Sequence, residues 1–435
     1  MENYEYYYLD GRERLWEEDI LFFAERFLQG HPLLSKSNYF TMNWEEGIDK
    51  QHSYEYSNIH YDERLRMEFI EQINLLIPRI SALDDFGVRY EASRAVALLK
   101  DGHSGVNMGV GDMIPLLFEC IGKEANVQLC AVRVPPAYTH LLGSRLITIN
   151  DIQIKEIVEA MATYLSQENE YHPIYQMTNL YDISHMQMVT QKPALQALGI
   201  VSKDSDHVEF TFETEDGIIT EIMRFIPPSE YLNMELIEHD MVSNSSLRFR
   251  QDDNFWYTIV EDENNPYLYV RLRKMYTDIY DFNQFYTKVA AEIKNSEKTL
   301  RLIIDFRDNR GGELQIDTTT RFANSVNRLD VNGTYILING GCFSAGVVTP
   351  FILAKTINGA KLVGSPTGQP ANSFGPINEY LTPNYEMVFY ISDCFYNFIP
   401  DEDDDAIYPD FTVYQTWEDY QSNIDTVLEY VLELE

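Results

Sequence analysis

The spacing of apolar residues changes twice along the chain, and each change suggests a different kind of structure. In residues 1–105 apolar side chains recur every three or four positions, as in Trp16, Ile20 and Phe23. This spacing places them on one face of a helix. The pattern ends at Asp101-Gly102, a sequence typical of a helix stop. We therefore expect a helical bundle as the amino-terminal domain.

Short apolar runs separated by turn residues characterise residues 106–230. Val208–Phe212 and Ile218–Phe225 flank Asp216-Gly217, which predicts a β-hairpin. One segment, Ile154–Leu165, has helical spacing instead. The pattern predicts a β-rich middle domain that contains a helix.

Apolar strand-like runs alternate with helical segments in residues 231–435. Leu300–Phe306 and Tyr335–Ile338 read as strands, and Gln315–Val326 and Val347–Ile357 as helices. Such alternation is typical of a mostly parallel sheet covered on both faces. The whole chain is therefore predicted to have a multidomain α+β fold, with an α/β domain last.

Composition narrows the classes of partner. The 435 residues include 69 acidic and 33 basic side chains, a formal charge of −36. Such a surface repels nucleic acid and anionic lipid, so we expect neither as a partner. No run of 18 apolar residues is present, so no membrane span is expected. The four cysteines form no CxxC pair, which argues against a thiolate zinc site and leaves free thiols and disulfides both open.

The segment after Met1 is polar and rich in tyrosine, without the basic and apolar regions of a secretory leader. As it stands the chain is therefore expected in the cytoplasm. An exported protein whose leader had been removed would have the same start, so the localisation stays open.

The richest candidate for chemistry is the stretch Gly340–Gly346, which reads GGCFSAG. It follows the strand-like run Tyr335–Ile338 and precedes a helical segment, so Ser344 is expected at a strand-to-helix junction. A serine there presents its hydroxyl at the open end of a sheet, beside backbone N–H groups of a helix start. This geometry suits a nucleophile next to an oxyanion site. A helix N-cap is the commoner role for such a serine.

A second glycine-rich turn lies one βα unit upstream. Asp305–Gly312 closes a strand that is expected to be buried, and Gly311 and Gly312 allow its backbone to turn sharply and approach a ligand. Ligands collect where adjacent parallel strands end. Taken alone, the motif is equally compatible with an ordinary strand-to-helix turn.

A nucleophilic serine needs a base, and the sequence offers a histidine or a lysine. Only Lys355 and Lys361 follow Ser344. His103 stands out among the nine histidines because glycines at positions 102 and 105 bracket it at the end of a predicted helix. That setting suits a base that reaches into a cleft, although an exposed loop histidine would look the same.

These pieces together resemble the tail-specific, or C-terminal processing, serine peptidases (family S41) and their tricorn-like branch. They follow the order of that family and cover most of the chain. The matching segments are Asp101–Ser104, Ile303–Gly312, Gly340–Gly346, Leu362–Gly368 and Tyr408–Asp410.

The resemblance implies roles for individual residues. Ser344 falls on the nucleophile, and the N–H groups of Ala345 and of Gly311 or Gly312 fall on the oxyanion site. One branch of the family uses a lysine in a G-x-x-T-x-G-K-like turn, but residues 364–370 read GSPTGQP and contain none. The tricorn-like branch uses a histidine in a DGH-type motif, which His103 matches.

That branch also supplies a carboxylate late in the chain. Residues 402–405 read Glu-Asp-Asp-Asp, and the resemblance favours Asp403 for this role, with Glu402 next. Plain surface charge is the alternative for each of them.

For the fold, the resemblance implies a crotonase/ClpP-like catalytic domain in residues 231–435 and a PDZ-like middle domain in residues 106–230, after the helical domain in 1–105. For function, it implies hydrolysis of peptide or unfolded protein through an acyl-enzyme, with no metal or organic cofactor and with self-assembly into a homo-oligomer as an open expectation. The alternatives are an inactive relative that binds a peptide or apolar ligand in the same crevice, and an esterase-like hydrolase.

Overall fold

The computed structural model describes most of the chain. The described residues are 11–43, 53–57, 60–122, 128–178, 187–243, 246–250, 253–262, 265–276, 279–399 and 404–434.

The helices fall into an amino-terminal group, a middle group and a carboxy-terminal group. They are α1 (Gly11–Gly30), α2 (Glu63–Leu76), α3 (Asp85–Ala97), α4 (Ile154–Ala162), α5 (His172–Met177), α6 (Lys192–Ala197), α7 (Pro228–Tyr231), α8 (Ile279–Asn295), α9 (Ile316–Val326), α10 (Ala345–Thr356), α11 (Trp417–Gln421) and α12 (Thr426–Glu433).

The strands form three sheets. They are β1 (Tyr39–Asn43), β2 (Ser53–Ser57), β3 (Gly105–Val106), β4 (Leu117–Ile121), β5 (Gln128–Val134), β6 (Arg145–Ile149), β7 (Ile152–Gln153), β8 (His207–Thr214), β9 (Gly217–Arg224), β10 (Ile237–Glu238), β11 (Phe255–Val260), β12 (Tyr267–Leu272), β13 (Leu300–Asp305), β14 (Val331–Ile338), β15 (Lys361–Gly364), β16 (Ser373–Leu381), β17 (Val388–Asn397) and β18 (Phe411–Thr412).

The carboxy-terminal sheet has the order β11-β12-β13-β14-β15-β18 and is parallel except for β11. All six residues of β13 are buried, as expected for a strand covered on both faces. Residues from α8, α9 and α10 pack on one face and residues from α12 on the other. The predicted alternation of strands and helices is therefore confirmed here.

The middle sheet is antiparallel, with β10, β5, β6, β8 and β9 in order and short strands β4 and β7 attached to β5 and β6. The predicted hairpin is β8–β9, and Gly217 at its turn has φ +124°, which favours glycine. Helix α4 covers most of the predicted helical segment.

The third sheet joins the two ends of the chain. Strand β1 pairs with β2 and lies parallel to β17, with Phe40 opposite Cys394, while β16 and β3 also pair with β17. Helices α1, α2 and α3 cover one face of this sheet. The helical prediction for residues 1–105 holds for these helices, but this region also contributes strands. Strand β2 pairs with the nearby β1, whereas β1 and β3 pair with β17, almost 300 residues or more further along the chain.

Polar contacts reinforce the connection between the ends. Asp19 is buried in the middle of α1 and accepts hydrogen bonds from the Thr382 hydroxyl, at 2.8 Å, and from the Asn384 N–H, at 2.9 Å. Trp16 stacks on Tyr385 with ring centroids 4.3 Å apart. The loop between β16 and β17 is thereby fixed against α1.

The protein thus has an α+β fold built on three sheets. All four cysteines are free thiols. Among the described residues, no helix has the length and apolar character needed to cross a bilayer.

Candidate active site

Ser344 lies between the end of β14 and the start of α10. Its backbone has φ +55° and ψ −128°, a sparsely populated conformation for a residue with a side chain. The serine takes the N-cap position, but its side chain makes no capping hydrogen bond. The commoner structural role of an N-cap hydroxyl is therefore not the one it performs.

The two glycine-rich turns touch at this point. The Phe343 N–H donates to the Asn309 carbonyl at 2.9 Å. A Cβ placed on Gly311 would lie 2.7 Å from the Ser344 Cβ and 2.8 Å from the Ala345 nitrogen. Gly346 likewise leaves room only for the Asn309 backbone. The absence of side chains at these glycines lets the second turn reach the serine.

The hydrogen bonds of the second turn distinguish its two glycines. The Gly311 N–H donates to the Asn309 side chain at 2.8 Å. Gly312 forms an isolated parallel β-bridge with Met275. The two hydrogen bonds of this bridge involve the residues on either side of Gly312: the Met275 N–H donates to the Gly311 carbonyl, and the Glu313 N–H donates to the Met275 carbonyl. In such a parallel bridge the Gly312 N–H points away from Met275. The Gly311 N–H is therefore already used within the turn, whereas the Gly312 N–H is not bonded to Met275.

A buried network of charged side chains supports the Asp305–Gly312 turn. Asp305 accepts from Arg307 at 2.7 Å and from the Tyr269 hydroxyl at 2.5 Å, and Arg271 lies 3.4 Å away. Arg307 also pairs with Asp425 at 2.7 Å. Burial alone would raise the pKa of Asp305, but the charges of Arg307 and Arg271 hold it well below its usual range. The Asp and Arg of the motif are thus structural.

Asp308 and Asn339 fix the two turns to each other. The Asp308 N–H donates to the Asn339 side chain at 2.8 Å, and the Asn339 amide donates back to the Asp308 carboxylate at 2.9 Å. Arg248 binds the same carboxylate at 2.9 Å. Because Asn339 directly follows β14, this pair sets the spacing of the glycine-rich turns.

His103 is held by its own loop. Its backbone N–H donates to the Asp101 carboxylate at 2.9 Å. The same carboxylate accepts from the Ser104 hydroxyl at 2.6 Å and pairs with His31 at 3.0 Å. Burial would raise the pKa of Asp101, but hydrogen bonding and charge from His31 outweigh it, and the pKa falls to about 2. A carboxylate that is ionised at neutral pH therefore anchors the loop.

The imidazole of His103 lies beside the serine turn. Its ring packs on Phe343 with centroids 4.7 Å apart, and His172 stacks on Phe343 at 4.6 Å. Burial lowers the pKa of His103, while the charge of Asp101 opposes that change. The ring is thus neutral near pH 7, which is the form that can accept a proton.

Gln369 connects the histidine to the serine. Its side-chain carbonyl accepts the Ser344 N–H at 2.7 Å, and its amide nitrogen lies 3.4 Å from His103 Nδ1 and 3.1 Å from Glu168 Oε1. Gln369 is fully buried. Among the described residues no hydrogen bond joins the Ser344 hydroxyl to the His103 ring, so the buried amide connects the two sides instead.

Glu168 is the acidic group of this site that the sequence did not reveal. It lies between α4 and α5, outside every motif. Burial, followed by the charge of Asp101, raises its pKa to about 8. Gln369 could have been noticed because it belongs to the lysine-free turn at residues 364–370.

The structure places Gly311 against Ser344 and Ala345, with Gly312 next to it in the chain. The His103 ring packs on Phe343, the residue before Ser344. Asp403 and Glu402 lie outside the described residues.

The described residues that follow them lie near the site. The Asn169 amide donates to the Asp405 carbonyl at 2.8 Å and to the Thr367 carbonyl, two residues before Gln369, at 3.0 Å. Asp410, by contrast, accepts from Lys361 and from the Leu362 N–H at the start of β15. The Tyr-Pro-Asp motif is therefore a support for the sheet.

Comparison with known proteins finds similarity at the level of structure. The sequence matches no protein family and no curated protein. A mutant of CPAF aligns over 96% of this chain and 96% of its own length, with 9% identity and a TM-score of 0.59. Mature CPAF complexed with lactacystin aligns over 96% and 97%, with 11% identity and a TM-score of 0.55. The tricorn protease aligns over 88% of this chain and 37% of its own at 12% identity, but its TM-score of 0.33 is too low to indicate a shared fold. The chain therefore shares the fold of CPAF.

Proposed function

We propose that this protein is a serine peptidase that cleaves peptide or unfolded protein through an acyl-enzyme, with Ser344 as nucleophile and His103 as base. The observation that carries the proposal is the Ser344 turn: a strained serine without a capping bond, a glycine turn against its Cβ, and a neutral imidazole beside it. CPAF, which has the same fold, is a serine protease.

The proposed reaction uses groups from the two sides of this site. The Ser344 hydroxyl attacks the scissile carbonyl, and its proton passes to the His103 ring. The ring then gives this proton to the leaving amine, and water releases the acyl group with His103 again acting as base. Hydrogen bonds in such sites often form fully only when substrate binds, which fits the separation of Ser344 from His103 here.

Backbone donors stabilise the oxyanion in this proposal. The Ala345 N–H begins α10, and the Gly312 N–H points away from its strand partner. Two donors directed at a developing negative charge are worth several kcal/mol, on the order of 3 for each one lost. Gly311 serves this site by its close approach, because its own N–H is bonded to Asn309.

The finer family assignment belongs to the same proposal. A tricorn-like member of the tail-specific peptidases would have a crotonase/ClpP-like catalytic domain around the carboxy-terminal sheet and a PDZ-like domain around the middle sheet. The turn at residues 364–370 contains no lysine, and its Gln369 side chain accepts the Ser344 N–H. This supports the branch of the family that uses a histidine as its base. Asp403, or else Glu402, remains the proposed late carboxylate.

A second candidate is an inactive relative that binds a peptide or an apolar ligand in the same crevice. The missing hydrogen bond between the Ser344 hydroxyl and the His103 ring favours it. A fluorophosphonate probe separates the two, because it reacts only with an activated serine.

The test labels the full-length protein with this probe and locates the adduct by peptide mass spectrometry. We expect labelling at Ser344 in the wild type and none in Ser344→Ala, while Ser229→Ala, which changes an exposed serine on α7, labels like the wild type. Cleavage of unfolded casein should follow the same pattern. A folded wild type that does not label would overturn the peptidase proposal, and turnover of small esters without peptide cleavage would indicate an esterase.

A further inference from the structure

Three side chains around the proposed base form a compact set of potential metal ligands. Asp101, His103 and Glu168 each offer one ligand atom, and these atoms lie within 4.8 Å of one another. We propose that this cluster binds a divalent cation of the zinc class, and that the bound ion inhibits the peptidase by occupying His103. The inhibitory part of this inference depends on the proposed function, whereas the binding part does not.

The donor set matches the ion. One imidazole nitrogen and two carboxylate oxygens are ligands that Zn²⁺ accepts, with water completing a tetrahedral site. A nitrogen donor distinguishes this cluster from the all-oxygen sites that Ca²⁺ and Mg²⁺ prefer.

Glu168 provides the independent observation. Its Oε1 accepts from Gln369 at 3.1 Å, while its Oε2 is buried and has no hydrogen-bond partner. A buried carboxylate oxygen without a partner is costly, and a cation is one of the ligands that can satisfy it. A Cβ on Gly102 would lie 2.6 Å from this oxygen, so only a glycine fits beside it.

Asp101 retains capacity for a further ligand. Its Oδ2 is used by His31 and Ser104, but its Oδ1 accepts one hydrogen bond, from the His103 N–H. A carboxylate oxygen has two acceptor positions, so Oδ1 keeps one. Because His31 pairs with Asp101 through Oδ2, the carboxylate is already held in place.

The experiment titrates Zn²⁺ into the metal-free protein by isothermal calorimetry at pH 7. We expect one binding site per chain. Glu168→Gln and His103→Asn should each weaken this site at least about tenfold. His140→Asn, which removes an exposed histidine paired with Glu221, should leave it unchanged. Circular dichroism confirms that each variant is folded.

Outcomes for binding and for inhibition are separable. If Glu168→Gln and His103→Asn bind Zn²⁺ as the wild type does, the ion is adventitious and the inference fails. The rate of probe labelling at Ser344 should fall when Zn²⁺ is added and return with a chelator. If saturating Zn²⁺ does not change the labelling rate, the inhibitory role is refuted. If the protein binds Zn²⁺ at this cluster but is never labelled, the peptidase proposal is refuted and the cation site stands.

Discussion

The two sides of the candidate site are built in different ways. The serine side comes from one continuous stretch, in which β13, β14 and their glycine-rich turns bring Gly311 against Ser344. The histidine side is assembled from three distant segments that carry His103, Glu168 and Gln369. The first side is therefore fixed by neighbouring strands, and the second by the docking of separate parts of the chain.

Their polar support differs in the same way. Under the serine turn, Asp305 and Arg307 form a buried ion pair within three residues of sequence. On the histidine side, Asp101 is paired with His31, which lies 70 residues away, just after α1. A substitution within the glycine-rich turns should therefore be enough to disturb the serine side. The position of the histidine side should instead depend on how α1 and α3 pack together.

The largest expected effect comes from removing the proposed base. His103→Ala should lower kcat/KM for casein peptides by about 10⁴-fold, because no other group takes the serine proton. His60→Ala is the matched control, since burial also lowers the pKa of His60 but its ring packs on Phe395. The acid limb of the wild-type pH profile should have its midpoint below 6.5, because burial lowers the pKa of His103. Full activity in His103→Ala would show that the base is a different group.

A change on the serine side should come next in size. Gly311→Ala places a Cβ 2.7 Å from the Ser344 Cβ, so the turn must shift and the oxyanion donors move with it. We expect a loss of about 10²–10³-fold in kcat. Gly199→Ala is the control, because Gly199 also has a positive φ, of +71°, but nothing within 4 Å of the added Cβ. Equal activity losses in both variants would mean that backbone strain, and not the close approach, is responsible.

The buried Asp101 should make the free energy of unfolding depend on pH. Its pKa is about 2 in the folded protein and about 3.9 when unfolded. The carboxylate therefore stabilises the fold above pH 4, and this contribution of about 2 kcal/mol is lost as the pH falls towards 2. In urea titrations from pH 6 to pH 3, Asp101→Asn should flatten the decline of the unfolding free energy.

The exposed Asp206, which pairs with His207, serves as the comparison for Asp101. Solvent screens such a surface pair, so Asp206→Asn should follow the wild-type curve. A wild-type slope retained in Asp101→Asn would contradict the assignment.

The smallest effect should come from the amide that joins the two sides. Gln369→Met removes the acceptor of the Ser344 N–H and the contacts to His103 and Glu168. We expect kcat to fall about tenfold, as for one lost hydrogen bond of about 1.4 kcal/mol, with little change in KM. Gln187→Met removes an equally buried amide that binds Phe118, so it controls for stability. Equal kcat in the two variants would show that Gln369 has only a structural role.

The same contrast explains how much the sequence could predict. The carboxy-terminal sheet and the Ser344 turn depend on contacts between successive βα units, and their hydrophobic pattern locates both. The β8–β9 hairpin is equally local, since Asp216-Gly217 determines its turn. Such features are encoded within a few tens of residues.

The third sheet and the contacts of the histidine were harder to foresee. β1 finds its parallel partner β17 about 350 residues later, and no pattern in residues 39–43 specifies that choice. Glu168 has an ordinary sequence context and gains its raised pKa from burial and from the charge of Asp101, a residue 67 positions earlier in the chain. The nearness of His103 to Ser344 was expected from the family resemblance, but the Gln369 contact between them was not.

The pairing of β1 with β17 also bears on biosynthesis. A ribosome makes the helices that precede His103 first, yet the sheet beneath them is complete only after Asn397 has emerged from the exit tunnel. A nascent chain therefore holds its serine turn before the histidine loop has its final support. If the proposed function holds, the base would therefore gain its final position only after β17 has been made.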